Sequence, residues 1–364
     1  PVKTELKSGA TTYAVAQTSY DGLRRIDCTV QRMNPSTFGS LPSSACTAAT
    51  PGGDGPDRIA KNTYDAAGRV TKVQTAYGTG IEADEVTTGY TNNGQVAHAI
   101  DAENNRTGYT YDGHDRLVKT EYPSVTKGAN AVNPSDYEQL TYDPNGNATS
   151  RRLRDGQVIG YGYDNLNRMV SKDLPGGEPD ATYSYDLLGQ PVSAAQDGQT
   201  LAFVHDALGR RTSETANYLG TVSYGYDTAG RRTSMTYPGG ALVVNYDYDV
   251  VGNVTTIREN GATSGAGVLA SYAFDNLGRR TSVTFGNGSV QSFGYDAVSR
   301  LASLTNDLGG GAATHDMTQT FNYSPSSQIA SVTRSNDAYA WQAHYNVDRA
   351  YVADGLNRMT SAGG

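Results

Sequence analysis

The chain has 364 residues and a formal net charge of −8. Length alone indicates two or three domains. The mildly acidic balance, without a Lys/Arg block, argues against a nucleic-acid partner, and no run of 18 apolar residues predicts a membrane span. The chain begins with Pro1 and carries neither a signal peptide nor an initiating Met, so we expect a processed or excised piece.

Aromatic composition is strongly biased toward tyrosine. The chain has 26 Tyr against 6 Phe and 1 Trp. We therefore expect apolar burial to depend mainly on Tyr and Val, with each phenolic hydroxyl near water or a hydrogen-bond partner.

The N-terminal part contains both cysteines, Cys28 and Cys46, on either side of a Pro/Ser-rich stretch. An even count fits an oxidising compartment, and a bond closing this loop contributes roughly 3 kcal/mol in the chain-entropy model. We predict a disulfide; the alternative is two unrelated thiols.

A short motif recurs from about Tyr20 to the C-terminus. Tyr-Asp-Ala-Ala-Gly-Arg at 64–69 returns, with variations, about fourteen times in steps of about 21 residues. We therefore predict one repeat domain over residues 1–364. The residues predicted to build its turns are Tyr64, Asp65, Gly68, Arg69, Tyr111, Asp112, Tyr163, Asp164, Tyr185, Asp186, Gly189, Asp206, Gly209, Arg210, Tyr226, Asp227, Gly230, Arg231, Phe274, Asp275, Gly278, Arg279, Tyr295 and Asp296.

Each repeat predicts a β-hairpin. Aromatic residues alternate at period two before the Asp, as in Tyr224 and Tyr226, so both rings face one side of a strand. The Asp carboxylate can accept backbone N–H bonds in a turn, and the Gly three residues later can supply a positive φ. A second strand follows. Stacked hairpins should place Tyr beside Tyr and Arg beside Arg.

Longer steps between motifs indicate insertions. We expect five of them to leave the sheet as loops, around 79–86, 125–135, 261–267, 307–315 and 335–348, because they are rich in Gly, Ala and Asn.

These motifs resemble the YD-repeat, or Rhs-repeat, family. Its members include bacterial Rhs polymorphic toxins, the BC component of insecticidal toxin complexes, wall-associated proteins and teneurins. The segment from Asp101 to Asp112 follows the extended pattern, with Asn104 where Gly is usual. The resemblance implies an all-β fold: an antiparallel β-hairpin strip that spirals into part of a hollow shell or tube. In the toxins such a shell encloses a C-terminal effector.

One departure limits this comparison. The toxin members close their shell with a capping region that carries self-cleaving aspartates and a DPxGL-like signature, and no such segment occurs here. About 28 strands at a spacing of about 4.8 Å make a strip on the order of 130 Å long, which is about one winding. The chain is therefore expected to be a segment of a longer shell, or the wall of a tube or filament made by many copies.

Catalytic and metal sites have little support. The five histidines are scattered, and no zinc, nucleophile-elbow or P-loop spacing occurs. Asp143-Pro144-Asn145-Gly146-Asn147 lacks a full calcium loop and indicates a turn. His205 occupies an aromatic position of the repeat, which indicates a structural role. We predict no enzyme activity, no cofactor and no metal.

Two functions remain. The first is a containment shell that wraps and helps deliver a toxin effector. The second is a structural or adhesive surface protein, wall-associated or filament-forming, with rows of Tyr that could bind carbohydrate. Expected partners are an enclosed effector or further repeats of the same protein; self-association and cell-surface glycans are further candidates. Either function places the protein outside a bacterial cell, secreted or on the surface.

Overall fold

The computed structural model describes residues 1–309 and 313–336, together with the backbone of strands at 351–353 and 359–362. Within these ranges the regular structure is β-strand apart from five short 3₁₀ turns, at Pro35–Thr37, Pro175–Gly177, Pro238–Gly240, Gly265–Gly267 and Ala313–His315. No helix among the described residues is long and apolar enough to cross a bilayer.

The strands follow one another at short intervals. They are β1 Val2–Ser8, β2 Thr11–Tyr20, β3 Ile26–Arg32, β4 Arg58–Tyr64, β5 Val70–Thr75, β6 Ala83–Tyr90, β7 Val96–Asp101, β8 Arg106–Tyr111, β9 Leu117–Pro123, β10 Val132–Tyr142, β11 Ala148–Arg152, β12 Val158–Tyr163, β13 Met169–Asp173, β14 Ala181–Tyr185, β15 Pro191–Gln196, β16 Gln199–His205, β17 Arg211–Ala216, β18 Gly220–Tyr226, β19 Arg232–Thr236, β20 Val243–Tyr248, β21 Val254–Glu259, β22 Val268–Phe274, β23 Arg280–Phe285, β24 Val290–Tyr295, β25 Leu301–Asp307, β26 Met317–Tyr323, β27 Ile329–Arg334, β28 Tyr351–Ala353 and β29 Met359–Ala362.

Strands β1 to β27 form one sheet in which the order of the strands follows their order in the chain. Each strand pairs antiparallel with the next along the chain. Strands β28 and β29 pair with each other in a separate hairpin. The predicted all-β strip of antiparallel hairpins is confirmed.

Each motif hairpin carries the same irregularity. In the hairpin of β4 and β5 the register shifts between Thr63 and Tyr64, and Gly68 lies at φ 81°. A tight turn followed by a left-handed residue is a type I turn with a bulge, whose twist matches that of the strands. The extra residue is Thr71 on β5, so the alternation along β4 is undisturbed and the Tyr64 side chain shares a face with the residue two positions earlier.

The strip therefore has two edges and two faces. The turn edge consists of the turns that follow the Tyr-Asp pairs, such as 65–69, and the linker edge consists of the connections between repeats, such as 196–199. The tyrosine face carries the alternating aromatics. The opposite face carries small polar residues, including Ser184 and Ser193, whose hydroxyls are 2.6 Å apart.

The strip coils until its two ends meet. The Gln31 amide of β3 donates to the Pro325 carbonyl, 294 positions later, at 3.0 Å. Arg58 of β4 contacts Gln328 at 2.5 Å. The 23 inter-strand steps from β3 to β26 correspond to roughly 110 Å of strip in one winding. Near the C-terminal end of the winding, the turn edge therefore contacts the linker edge of the first strands.

The most deeply buried apolar residues are concentrated near the N-terminus, and they are not tyrosines. Val15, Val30 and Ile59 are at most 2% exposed, and so are Cys28 and Met33. Val is among these most buried residues, as expected, and Tyr is not. The tyrosines are half-buried along the sheet because a single-layer strip covers them only with neighbouring side chains.

The insertions are shorter than expected at two places. The stretch 79–86 was expected to be a loop, but β6 already begins at Ala83, and 125–135 ends inside β10, which begins at Val132. Pairing with the neighbouring strand favours extended backbone there. Residues 261–267 do leave the sheet. The expected loops at 307–315 and 335–348 lie partly outside the described residues.

Candidate functional site

The site with the strongest repeated chemistry is the ladder of Tyr-Asp turns along the turn edge. In the turn at 65–69, the Asp65 N–H donates to the Arg69 carbonyl and the Gly68 N–H donates to the Asp65 carbonyl, both at 3.0 Å. The Asp65 carboxylate accepts from the Arg69 N–H at 2.9 Å and from its Nε at 2.8 Å. One Asp thus holds both the backbone and the Arg side chain of its turn.

Eight turns in the described part of the chain share this Asp–Arg ion pair. They are Asp21–Arg25, Asp65–Arg69, Asp112–Arg116, Asp164–Arg168, Asp206–Arg210, Asp227–Arg231, Asp275–Arg279 and Asp296–Arg300. Asn147 and Asn253 take the place of Arg in two other turns, where their amides donate to Asp143 and Asp249.

These hydrogen bonds stabilise the charged carboxylates. The side-chain hydrogen bond from Arg116 lowers the pKa of Asp112 to about 2. Hydrogen bonds from the residue four positions later also dominate the lowered pKa values of Asp21, Asp65, Asp143, Asp164, Asp206 and Asp227. At Asp249, Asp275 and Asp296 partial burial opposes the shift, but hydrogen bonds outweigh it and the pKa is again lowered.

The Tyr hydroxyls join each repeat to the one before it. The Tyr226 hydroxyl donates to the Arg211 carbonyl at 2.6 Å, and Arg211 is the first residue of a strand in the preceding repeat. Ten tyrosines do this within the described residues, at 2.6–3.0 Å: Tyr64, Tyr90, Tyr111, Tyr142, Tyr163, Tyr185, Tyr226, Tyr248, Tyr295 and Tyr323. This supplies the expected hydrogen-bond partner of the phenols.

Each turn Arg joins its repeat to the one after it. The Arg168 guanidinium lies 4.8 Å from the centre of the Tyr185 ring, and its Nη1 donates to the Asp186 carbonyl at 2.8 Å. Eight such Arg–Tyr stacks occur in the described chain, at 4.3–4.8 Å. The expectation of Tyr beside Tyr and Arg beside Arg is therefore wrong, because the ring face attracts the guanidinium of the preceding repeat.

Two places along the ladder lack both the Tyr hydroxyl bond and the Arg–Tyr stack. His205 and Phe274 occupy the Tyr position, and the preceding turns end in Gln190 and Asn253 instead of Arg. Neither His205 nor Phe274 has a phenolic hydroxyl to donate. The ladder Tyr and the preceding Arg are thus lost together at these two points, which we call the seams. Tyr111 and Tyr163 keep the hydroxyl bond but follow Gln95 and Asn147, which replace Arg.

Glycine is replaced at several turns where the backbone is left-handed. Asp115, Asn167 and Ser299 stand at the position of Gly68, with φ of 61–68°. Each side chain accepts a hydrogen bond from the preceding turn; for example, Asn167 Oδ1 accepts from the Asn147 amide at 2.8 Å. An added contact between repeats offsets the backbone strain.

Residues 33–57, which join β3 to β4 and which we call the N-terminal linker, fold over the small-residue face. The repeat pattern did not reveal this feature. Arg32 is fully buried and contacts the Asp57 carboxylate at 2.6 Å. It also donates to Gln17 Oε1 at 2.6 Å and to the Thr47 carbonyl at 2.8 Å. A buried ion pair is tolerated only when its remaining groups are satisfied in this way.

The predicted cysteine pair lies in the same unit. Cys28 and Cys46 are joined by a disulfide with Cα atoms 5.2 Å apart. Together with Asp27 they form the one cluster of potential metal-binding side chains in the described residues. The two sulfurs are already bonded to each other, so this cluster does not present a thiolate metal site.

Similarity to known proteins agrees with this architecture. A family model described as Teneurin YD-shell matches residues 59–263, more than half of the chain. No curated protein matches the chain in sequence.

Solved structures show the same fold. A TcdB2-TccC3-Cdc42 complex matches 96% of the chain with a TM-score of 0.68 at 15% identity. The Tc holotoxin pore of Photorhabdus luminescens also matches 96% of the chain, with a TM-score of 0.68 at 14% identity. The chain spans only 19% of each of these longer chains. From the family match and the repeated Tyr-Asp ladder, the chain belongs to the Teneurin YD-shell family.

Proposed function

We propose that this chain is a non-enzymatic segment of a hollow shell wall that encloses a toxin effector and helps to deliver it. The observation that carries the proposal is the ladder: its Tyr hydroxyls, ion pairs and Arg–Tyr stacks bind almost every repeat to its neighbours. A sheet of this kind, coiled into a closed winding, is suited to separating two compartments.

The polar groups support a structural role. Catalysis requires unlike groups that converge on one substrate. Here Asp and Arg neutralise each other inside eight of the described turns, and the hydroxyls of the ladder tyrosines are bonded to backbone carbonyls. Repetition of one contact set along the chain is typical of solenoid-like proteins.

The proposed location is outside a bacterial cell, secreted or on the surface. A disulfide persists in an oxidising compartment, and Cys28–Cys46 closes the N-terminal linker. The proposed cargo is a polypeptide effector, as the family resemblance implies. The similarity to TcdB2-TccC3 complexes supports this proposal at the level of fold.

A fused reporter tests the enclosure. One protein carries a protease-sensitive reporter directly after Gly364, and its matched control carries the same reporter behind an 80-residue Gly/Ser linker, which reaches about 50 Å. We expect thermolysin to cleave the directly fused reporter at least tenfold more slowly. Equal cleavage rates would show that this single winding does not enclose the reporter by itself.

An extracellular structural or filament-forming role is the second candidate. A row of exposed apolar residues on the turn edge favours it, since such a row is typical of surfaces that associate.

A further inference from the structure

Seven consecutive turns carry an apolar residue at their tip. The tip is the second residue after the turn Asp, and from Asp164 to Asp296 it is Leu166, Leu188, Leu208, Ala229, Val251, Leu277 and Val298. Five of these are 68–80% exposed: Leu166, Leu188, Leu208, Val251 and Leu277. Leu187 and Val250, one position earlier, are fully exposed. We call these nine residues the tip row.

Turn geometry does not require these side chains. The backbone N–H of Leu188 donates to Asp186 Oδ1 at 2.9 Å, a contact that any residue other than Pro could make. Of the five earlier turns, three have Asn93, His114 and Asn145 at the same position, as turn propensity favours. The other two have Leu23, which is 73% exposed, and Ala67, so an unbroken apolar row begins only at Leu166. Successive tips lie two strands apart, so the row extends roughly 60 Å along the edge.

The tip row also carries little net charge. Five of its seven turns contain an Asp–Arg ion pair, as at Asp206–Arg210 with 2.7 Å between Nη2 and Oδ2. The paired side chains are at most 35% exposed and come from the first and last residues of each turn, not from its tip. A long, weakly charged apolar stripe on a protein surface marks an interaction site.

The chain itself shows what the turn edge can pack against. At the end of the winding, Pro325 occupies the position that corresponds to Leu187 and Val250, and it is buried. Its neighbours come from the linker edge, where Gln31 donates to the Pro325 carbonyl at 3.0 Å. The Arg300 guanidinium of the preceding turn lies 5.7 Å from the ring centre of Tyr13, also on the linker edge. This fold therefore already contains a contact between a turn edge and a linker edge.

The linker edge opposite the tip row offers apolar surface. Tyr218 and Leu219 are 64% and 66% exposed there. Beside them lies a cavity of about 220 Å³ lined by Ala181, Tyr183, Leu201, Ala216 and Tyr218. Small alanines in place of large side chains create this depression, which has room for an aliphatic side chain.

We propose that the tip row binds the linker edge of a second copy of this chain. The contact continues the one that already joins the two ends of the winding, and it would bury the exposed Leu and Val side chains in the same way as Pro325. Because two different edges meet, the interface is heterologous and repeats without closing. Copies would stack along the winding axis into a tube.

Two variants make the proposal testable in the full chain. The first, Leu188→Asp with Val251→Asp, disables the tip row. The second, Tyr218→Asp with Leu219→Asp, disables the linker edge. Wild type should form concentration-dependent oligomers in sedimentation velocity, while each variant alone should remain at the monomer mass of 38.6 kDa. Equimolar mixing should restore a dimer, because each variant retains one intact edge.

A matched control and clear contrary results complete the test. Ala66→Asp with Ala67→Asp adds the same two charges at an exposed turn outside the row. This control should leave the oligomers unchanged, and circular dichroism should show all variants folded. A monomeric wild type at 100 μM, oligomers that persist in both variants, or a mixture that fails to dimerise would each overturn the proposal. Binding of the wild-type monomer to anionic lipid vesicles through the tip row would do the same. None of these results depends on the enclosure of an effector, which the reporter fusion tests separately.

Discussion

The ladder tyrosines act through both their ring and their hydroxyl. The Tyr185 ring stacks under Arg168, and the Tyr185 hydroxyl donates to the Met169 carbonyl at 2.8 Å. Two positions earlier, Tyr183 has the same side chain on the same face, yet its hydroxyl has no hydrogen-bond partner among the described residues. Both rings are half-buried, but only the Tyr of the Tyr-Asp motif also forms a hydrogen bond through its hydroxyl.

This difference predicts unequal effects of removing the two hydroxyls. Tyr185→Phe should lower the free energy of unfolding by about 1 kcal/mol, since it leaves a backbone carbonyl without its donor. Tyr183→Phe should change it by less than about 0.5 kcal/mol. Urea denaturation of both variants measures this, and equal effects would show that the hydroxyl bond contributes nothing.

At the residue scale, the sequence predicted which residues form the turns but not how they pair across repeats. Period-two aromatics and the Asp-to-Gly spacing indicate a strand and a turn, because both are local properties. That Arg168 covers Tyr185 could not be seen in the same way, since the contact joins residues 17 apart across a strand pair. The joint loss of Arg and Tyr at Gln190 and His205 was a partial signal, since Gln95 also replaces Arg although Tyr111 follows it.

At the element scale, each hairpin depends on its neighbours more than on its own core. Ion pairs hold the turn, whereas hydroxyls and guanidinium groups hold adjacent repeats. The seams should accordingly be the weakest junctions of the strip.

The seam at Gln190 and His205 provides a direct measurement of this coupling. Gln190→Arg and His205→Tyr should each have little effect alone. Together they should stabilise the protein by about 0.5–1 kcal/mol more than the sum of the single changes, because they restore a cation–π stack. A double-mutant cycle from chemical denaturation measures the coupling, and additive effects would contradict the prediction.

The turn carboxylates predict acid sensitivity. Their pKa values are lower in the folded protein than the ordinary value of 3.8, reaching about 2 at Asp112. The unfolded chain therefore binds more protons at low pH. The stabilisation is fully present above pH 4 and is lost as the pH falls from about 4 towards 2. Thermal unfolding followed by circular dichroism should show this decline, and Asp112→Asn should make it shallower.

At the scale of the whole molecule, the N-terminal linker is the best-packed unit. It packs on β3, and the two share the buried Arg32–Asp57 pair and the Cys28–Cys46 disulfide. An even cysteine count indicated the bond, but the ion pair had no recognisable motif, since its partners are brought together only by the course of the 33–57 linker.

The disulfide prediction can be checked on the purified protein. Thiol labelling in denaturant without reductant should modify neither Cys28 nor Cys46, and labelling after reduction should modify both. Reduction should also lower the free energy of unfolding by roughly 3 kcal/mol, because the loop in the unfolded chain is released. Two reactive thiols before reduction would refute the bond.

The contact that closes the winding can be tested by substitution of Pro325. Pro325 is buried against the linker edge of β3, and Gln328 meets Arg58 nearby. Pro325→Asp places a carboxylate in this buried contact, and its desolvation costs a few kcal/mol without a partner. The ladder is untouched, so the strip should stay folded while its ends separate. Small-angle X-ray scattering should show a larger radius of gyration with an unchanged circular dichroism spectrum. Ala67→Asp, at a turn tip far from the contact, should leave both unchanged. An unaltered radius in Pro325→Asp would mean that the curvature of the sheet alone closes the winding and that the meeting edges only touch.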